Sequence, residues 1–296
     1  MYREVNANRV NPFKNLENKK NDLEIRICKC VPGSPIYYKD FNCGGYVVAI
    51  VNELFEFQYF NKDDMLFLIT TVNKGKLLRK KTHKGIDEEN IVELNFSKYD
   101  MCSLDMKYLQ NFNFKNLRFL DLSYNSIRPQ GVFYLSQIKF TCLESLNLNS
   151  NEIGDEGVGY LTDGLYFNKL CHLCLFHNNI SDYGIEFLVK ANFINNLIYL
   201  SLSENERIGD KGVRIMKEYK GWDKLNTLSL NMTGITDEAL KYLSEAFMPK
   251  LKKLNILENR FTNKAIPIIK GLRNNNIRVC YRFHGEKEKE KKNNKK

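Results

Sequence analysis

Cys171 to His177 reads CHLCLFH and sets two thiols and two imidazoles within seven residues, the residue types that hold zinc. On an extended strand, residues three apart face opposite sides, so Cys171 and Cys174 diverge. His172 and Cys174 share a face, but two ligands do not make a structural zinc site. Upstream, Cys28, Cys30 and Cys43 could supply thiolates, yet His83 is the only histidine before residue 90 and no fourth ligand lies near them. All eight cysteines are therefore read as free packing thiols in a reducing compartment. Acidic residues such as Asp155 and Glu156 recur at a fixed place in a repeating pattern, which makes them helix caps before catalytic carboxylates. The chain holds no phosphate-cradling G-x-x-x-x-G-K-[ST], no G-x-S-x-G and no H-E-x-x-H. Neither an enzyme activity nor a metal or cofactor is expected.

The pattern that places these residues is L-x-x-L-x-L-x-x-N. It runs through Leu117/Leu120/Leu122/Asn125, Leu143/Leu146/Leu148/Asn151, Leu170/Leu173/Leu175/Asn178 and Leu197/Leu200/Leu202/Asn205. Leu225/Leu228/Leu230 continues it with Thr233 for the Asn, then Leu251/Leu254/Ile256/Asn259; Ile91/Leu94/Phe96 opens it more loosely, with Tyr99 at the Asn position. The starts lie 26 to 28 residues apart, and a closing strand is expected at 277–283. The apolar residues at positions 4 and 6 share one strand face. Each Asn is expected to bond the tight turn after its strand and the next unit. Asp155, Asp182, Asp210, Asp237 and Asn263 stand at helix starts, where each should cap its own helix. Gly131, Gly157, Gly184 and Gly212 should let the helix lie close to the strand layer. Pairs such as Val158/Leu161 and Ile185/Leu188 give that helix its apolar face.

This pattern resembles the leucine-rich repeat, and downstream halves such as NEIGDEGVGYL and NNISDYGIEFL resemble its ribonuclease-inhibitor-like class, in which a full helix follows each strand. The resemblance implies an α/β fold: a curved, right-handed solenoid, or horseshoe, with a parallel concave sheet, convex helices and an N-terminal capping segment. The domain layout expected is a flexible N-terminus over 1–21, a capping segment over 22–89, repeats over 90–284, and a disordered Lys/Glu tail over 285–296. Within the capping segment, Leu23 to Val31 alternates like a strand, whereas 46–60 and 63–72 look helical.

The chain has 296 residues and a formal net charge of +10, with three of those charges in the terminal EKEKEKKNNKK. No run approaches the roughly 18 apolar residues of a membrane span, and the N-terminus has no apolar signal core. An intracellular location, cytoplasmic or nuclear, is expected, without membrane insertion. Lys74 to Lys84 is the densest basic run, but no aromatics are interleaved for base stacking, so nucleic acid is not the expected partner.

Positions 3, 5 and 7 of each unit point away from the core. Most residues there are small and polar. Phe119, Asp121, Tyr124, His172, Phe176, His177 and Tyr199 break that monotony and are the candidate partner-binding residues, since exposed aromatics anchor protein interfaces. Seven strands about 4.8 Å apart and about 17 Å long present on the order of 580 Å², near one partner's share of a standard interface. The expected function is non-catalytic: a scaffold or adaptor holding a protein or peptide on its concave face, with no small-molecule substrate. A second reading comes from Glu53 to Lys74, where Phe57, Phe60, Asp64 and Met65 are similar in spacing to an F-box, although the usual Leu-Pro opening is absent. That resemblance implies a substrate receptor of a ubiquitin ligase. A third is a regulator of a small GTPase, because the Ran GTPase activator shares this repeat subtype.

Overall fold

The computed structural model describes residues 91–282 in full, and the backbone of 23–27, 36–40, 49–51 and 57–59. The chain packs as two units, Met1–Thr71 and Val72–Lys296. In the first, β1 (Leu23–Ile27) pairs antiparallel with β2 (Ile36–Asp40), and β3 (Ala49–Val51) with β4 (Phe57–Tyr59). The strand expected from Leu23 is there. Where a helix is expected over 46–60, the described residues Ala49–Val51 and Phe57–Tyr59 are strands instead: Ile50, Val51, Phe57 and Tyr59 are β-branched or aromatic residues that suit a ladder. Phe57–Tyr59 of the F-box-like stretch form β4, and the rest of that stretch lies outside the described residues. So do the N-terminus, most of the expected capping segment, the basic run Lys74 to Lys84 and the Lys/Glu tail.

The second unit carries one eight-stranded parallel sheet in strict chain order. Its strands are β5 (Glu93–Asn95), β6 (Phe119–Asp121), β7 (Ser145–Asn147), β8 (His172–Cys174), β9 (Tyr199–Ser201), β10 (Thr227–Ser229), β11 (Lys253–Asn255) and β12 (Arg278–Cys280). Between them lie α1 (Ser103–Leu109), α2 (Arg128–Ser136), α3 (Gly154–Asp163), α4 (Asp182–Leu188), α5 (Asp210–Glu218), α6 (Asp237–Glu245) and α7 (Ala265–Asn274). This is an α/β curved solenoid, as expected. The strands pair with no register offset, so Leu94, Leu120, Leu146, Leu173, Leu200, Leu228, Leu254 and Val279 form one buried row. Each such side chain contributes roughly 1.5–3 kcal/mol of apolar burial. The helices close the layer behind them with buried pairs such as Val158/Leu161, Ile185/Leu188 and Val213/Met216. Behind the strand starts runs a chain of rings absent from the sequence reading. Phe112, Phe114, Phe140, Phe167 and Phe193 lie 5.8 to 6.2 Å apart, centroid to centroid, within the range of favourable aromatic contact.

The asparagines lock successive units, in the direction opposite to that expected. The Asn178 Oδ1 accepts from the N–H groups of Asn151 (3.0 Å) and Ile153 (3.3 Å), and its Nδ2 donates to Leu148 O (2.8 Å). Asn205 does the same for Asn178 (2.9 Å) and Ile180 (3.0 Å), donating to Leu175 O (2.9 Å). Each amide thus serves the turn of the unit before it and, as expected, its own: Asn178 Nδ2 also donates to Phe176 O (3.1 Å) and Asn205 Nδ2 to Leu202 O (2.8 Å). The turn needs this help because the residue preceding the Asn is left-handed, as at Tyr124 (φ 56°), His177 (φ 52°) and Glu204 (φ 56°), a conformation that costs a non-glycine residue roughly 1–2 kcal/mol. At Thr233 the single hydroxyl hydrogen is shared between Leu230 O and Asn259 Oδ1, and the side chain makes no bond to the unit before.

The repeated aspartates do not cap their own helices. Asp182, Asp210 and Asp237 are the first helical residues, and Asp155 is the second. Their carboxylates reach the next unit. Asp155 accepts from Ser181 N–H (2.7 Å) and Oγ–H (2.6 Å), and Asp210 from Thr236 N–H (2.8 Å) and Oγ1–H (2.6 Å). Asp237 accepts likewise from Thr262 N–H (2.9 Å) and Oγ1–H (2.5 Å). With its proton so directed, the hydroxyl turns its lone pairs to the helix N–H groups of Tyr183 and Glu238. Where the cap is Gly209, with no hydroxyl, Asp182 bonds the N–H groups of Gly209 and Gly212 directly, each at 2.8 Å. The negative charge also suits the positive end of the helix dipole. At Gly184 and Gly212 the missing side chain makes room for this contact, whereas at Gly131 and Gly157 the nearest atoms belong to the core residues Ile127 and Ile153 of the same unit. A Cβ on Gly212 would lie 2.6 Å from Asp182 Oδ1, and one on Gly184 2.7 Å from Asp155 Oδ1. Asn263, for its part, lies just before α7, and the described bonds there run from Asp237 to Thr262. A further correction concerns the thiols: Cys102 is disulfide-bonded, whereas Cys142, Cys171, Cys174 and Cys280 are free.

Replacing Asn178 with Ala should leave the buried N–H groups of Asn151 and Ile153 without partners and lower the unfolding free energy by about 2–4 kcal/mol. Denaturant titration checks this, and a loss below 1 kcal/mol would remove the ladder's importance. The α1 start makes a pH-dependent case. Buried Asp105 accepts from Cys102 N–H at 2.7 Å, and burial pushes its carboxyl up from 3.8 to about 6 despite that bond. The folded chain therefore holds this proton more tightly than the unfolded chain. The associated stability is full below about pH 4 and is lost as pH rises through about 6. Asp105→Asn should reduce the fall in unfolding free energy between pH 4 and pH 7 by roughly 2–3 kcal/mol.

Candidate functional site

With positions 4 and 6 committed to the core, the open face of the sheet displays positions 3, 5 and 7, and position 8 stands at the turn. Zero register offset makes each position a row. Position 3 reads Glu93, Phe119, Ser145, His172, Tyr199, Thr227, Lys253 and Arg278 from β5 to β12. His172 and Tyr199 are therefore neighbours, and their rings stack at 6.3 Å with planes 23° apart. Phe119 is separated from them by the strand of Ser145 and lies against the Arg118 guanidinium, 5.3 Å from ring centroid to Cζ.

The seven candidate residues thus form two groups. On β6 and its turn, Phe119 and Tyr124 are exposed, and the Lys98 ammonium sits 5.2 Å from the Tyr124 ring. Asp121 lies with them, but its Oδ1 is taken by Ser123 N–H (2.9 Å) and Oγ–H (2.6 Å). The second group is His172, Phe176, His177 and Tyr199 on β8, β9 and their turns. Phe176 leans on His177 at 6.1 Å, and His177 Nδ1 lies 3.4 Å from Glu204 Oε2. This second group borders a depression of about 420 Å³. Phe176 and Tyr199 form one wall and Met232 and Leu257 the other, over a floor of Ser201, Ser203 and Ser229, with Glu204 and Glu258 at the rim.

The sequence signal for this depression is present but faint. Along position 7, Ser203 and Asn231 stand between Phe176 and Leu257, so two short side chains separate two bulky ones. Their polarity is used internally: Ser203 Oγ accepts from Asn231 N–H (3.0 Å), Asn231 Oδ1 from Leu257 N–H (2.7 Å), and Asn149 Oδ1 from Phe176 N–H (2.8 Å). Several residues that read as free to touch a partner are thus holding the sheet's edge.

Cys171 and Cys174 diverge, as strand alternation requires. The Cys171 Sγ lies 3.2 Å from His172 Nδ1, and burial pushes its thiol up. Cys174 is raised to about 11, by burial first and then by the Asp121 carboxylate. Both shifts oppose the thiolate that nucleophilic or metal chemistry needs. Among the described residues, no group of three or more His, Cys, Asp or Glu could hold a metal ion, and no helix is long and apolar enough to cross a membrane.

Residues 115–136, 141–161 and 194–214 match a family model described as Leucine Rich repeat. Together with the sheet, this supports a leucine-rich repeat protein. No curated protein matches. Solved structures that match include an internalin (inlF) from Listeria monocytogenes, 18% identical over 67% of this chain and 62% of that one, with a TM-score of 0.38. Another is a chain of the yeast Rad7 and Elc1 complex, 16% identical over 67% of this chain and 64% of that one, also with a TM-score of 0.38. Each match spans less than two thirds of the solved chain.

The Cys174 thiol supplies a check on the site's chemistry. At pH 8 its alkylation in the folded chain should be slower than in the denatured chain by about two powers of ten, following the lost thiolate fraction. Mass spectrometry of a timed iodoacetamide reaction measures this, and equal rates would contradict the burial described.

Proposed function

We propose that this chain is a non-catalytic scaffold that binds a protein partner on the concave, open face of its sheet. The observation that carries the reading is the depression between Phe176 and Leu257, flanked by the stacked His172–Tyr199 pair. Partly exposed rings beside a floor of short side chains offer a partner both anchors and a recess for one of its own. The recess is open and shallow, which suits a protein surface better than an enclosed small molecule. Phe119 and Tyr124 form a second patch two strands away on the same face. The helices of seven to ten residues that follow the strands support the ribonuclease-inhibitor-like subtype, since shorter connections would suffice for a solenoid of flatter profile.

Affinity purification with the full chain, followed by titration calorimetry on the recovered partner, tests this. Phe176→Ala and Tyr199→Ala should each weaken binding by at least about fivefold, more than 1 kcal/mol. Ser145→Ala, on the polar stretch between the two patches, should change it by less than twofold. Unchanged affinity in both aromatic variants would overturn the assignment.

A further inference from the structure

Residues 250–296 carry fifteen Lys and Arg against four Glu, a net +11, while the whole chain is only +10. The 249 residues before them therefore sum to −1. Within the described part, 250–282, nine cations meet a single carboxylate, Glu258, and Arg282 holds that one at 2.7 Å.

The open face concentrates this imbalance. Lys253 on β11 and Arg278 on β12 are register partners, about 4.8 Å apart by strand spacing. Like charges placed directly opposite repel and weaken a sheet. Lys250 and Lys252 lie at the same strand start, and all four are exposed. None of the four is ion-paired among the described residues. Some cations elsewhere are matched, Arg118 with Glu144, Lys211 with Glu186, Lys217 with Glu245, and Lys241 with Glu238, and others stand alone, but among the described residues only here do two lie on adjacent strands in register. The last two strands thus keep an uncompensated cationic pair that a negative ligand would relieve.

Lys253 and Arg278 also continue the row that begins with His172 and Tyr199. Tyr199 is two strands from Lys253 and three from Arg278, about 10 and 14 Å. An extended segment rises about 3.3 Å per residue, so those gaps correspond to three to five residues. From this geometry we infer that the partner presents an acidic extended segment that crosses the strands. An apolar side chain rests at the His172–Tyr199 stack, and carboxylates three to five residues away meet Lys253 and Arg278. This rests on the open-face reading above and specifies its partner's chemistry. A protein segment is favoured over nucleic acid because the open face of β11 and β12 presents Lys253, Asn255, Arg278 and Cys280, with no ring on which a base would stack.

The test uses the full chain and fluorescence anisotropy with three probes. One is a labelled twelve-residue peptide with Phe followed by Glu at the third to fifth positions. The second is the same peptide with Ser for every Glu, and the third a single-stranded RNA of twelve nucleotides. The acidic peptide should bind, and should weaken as salt rises. Replacing Glu by Ser, the double reversal Lys253→Glu/Arg278→Glu, and Tyr199→Ala should each reduce its affinity at least tenfold. The control reversal Lys264→Glu/Lys270→Glu, on equally unpaired cations of the α7 region, should change it less than twofold, with matching circular dichroism and melting temperature in all variants. No binding of the acidic peptide, equal losses from the two double reversals, insensitivity to Tyr199→Ala, or tighter binding of the RNA would each overturn the inference. The recovered partner separates this from the broader reading. If Phe176→Ala and Tyr199→Ala weaken that partner but Lys253→Glu/Arg278→Glu does not, the open face stands and the acidic segment falls. If neither set affects it, both fall.

Discussion

Each strand of the solenoid ends in a turn that leaves backbone N–H groups pointing into the protein, and the asparagine of the following unit is what satisfies them. Asn178 and Asn205 each serve two such groups and a carbonyl in the unit before. Buried backbone groups without partners cost about 1–3 kcal/mol each, so a unit cannot be detached from its successor without leaving that cost uncovered. The left-handed residue ahead of each Asn is held in place by the same bonds. The aspartates add a second interlock on the helix side, running the other way: each carboxylate closes the helix start of the unit after it. The two ladders fix the stacking offset from both edges, and the zero register of the sheet follows.

That fixed offset makes the open face a grid. Once positions 4 and 6 are buried and position 9 is spent on the turn, rows at positions 3, 5 and 7 are where this face can vary without loss of fold. Much of that freedom is then consumed by edge bonds, as at Asp121, Asn149, Ser203 and Asn231. What remains is short: a stacked ring pair, a recess floored by serines, an exposed Phe119 and Tyr124, and two cations at the closing strands. These are the residues on which the proposed recognition acts.

The chain's charge is distributed along the same axis. Its positive excess belongs chiefly to the last repeats and the tail, whereas the repeats before them, 91–249, carry 15 Lys and Arg against 19 Asp and Glu, a net −4. Unpaired charges of one sign on one end of a grid orient an incoming partner before contact and set which end of it lies where. On the proposed reading, the ring pair and the recess supply the apolar contact that holds it.

The sequence by itself determined the repeat, the buried leucine rows, the helix faces and the list of outward positions, because each of these is a periodicity of 2, of 3.6 or of 26 to 28 residues along one chain. It also separated Cys171 from Cys174, since alternation along a strand is local. Only the tertiary structure decided what meets across units. Asp182 was legible as a helix-start residue, yet whether its carboxylate turned to its own helix or to Gly209 and Gly212 depended on how far neighbouring helices are set apart. Gly212 was legible as a place for a small residue, but its neighbour is that carboxylate. The pairing of His172 with Tyr199, the isolation of Phe119 and the recess under Leu257 came from rows formed between residues about 27 or more positions apart. No local pattern encodes them, because they arise from the stacking offset that the two ladders set.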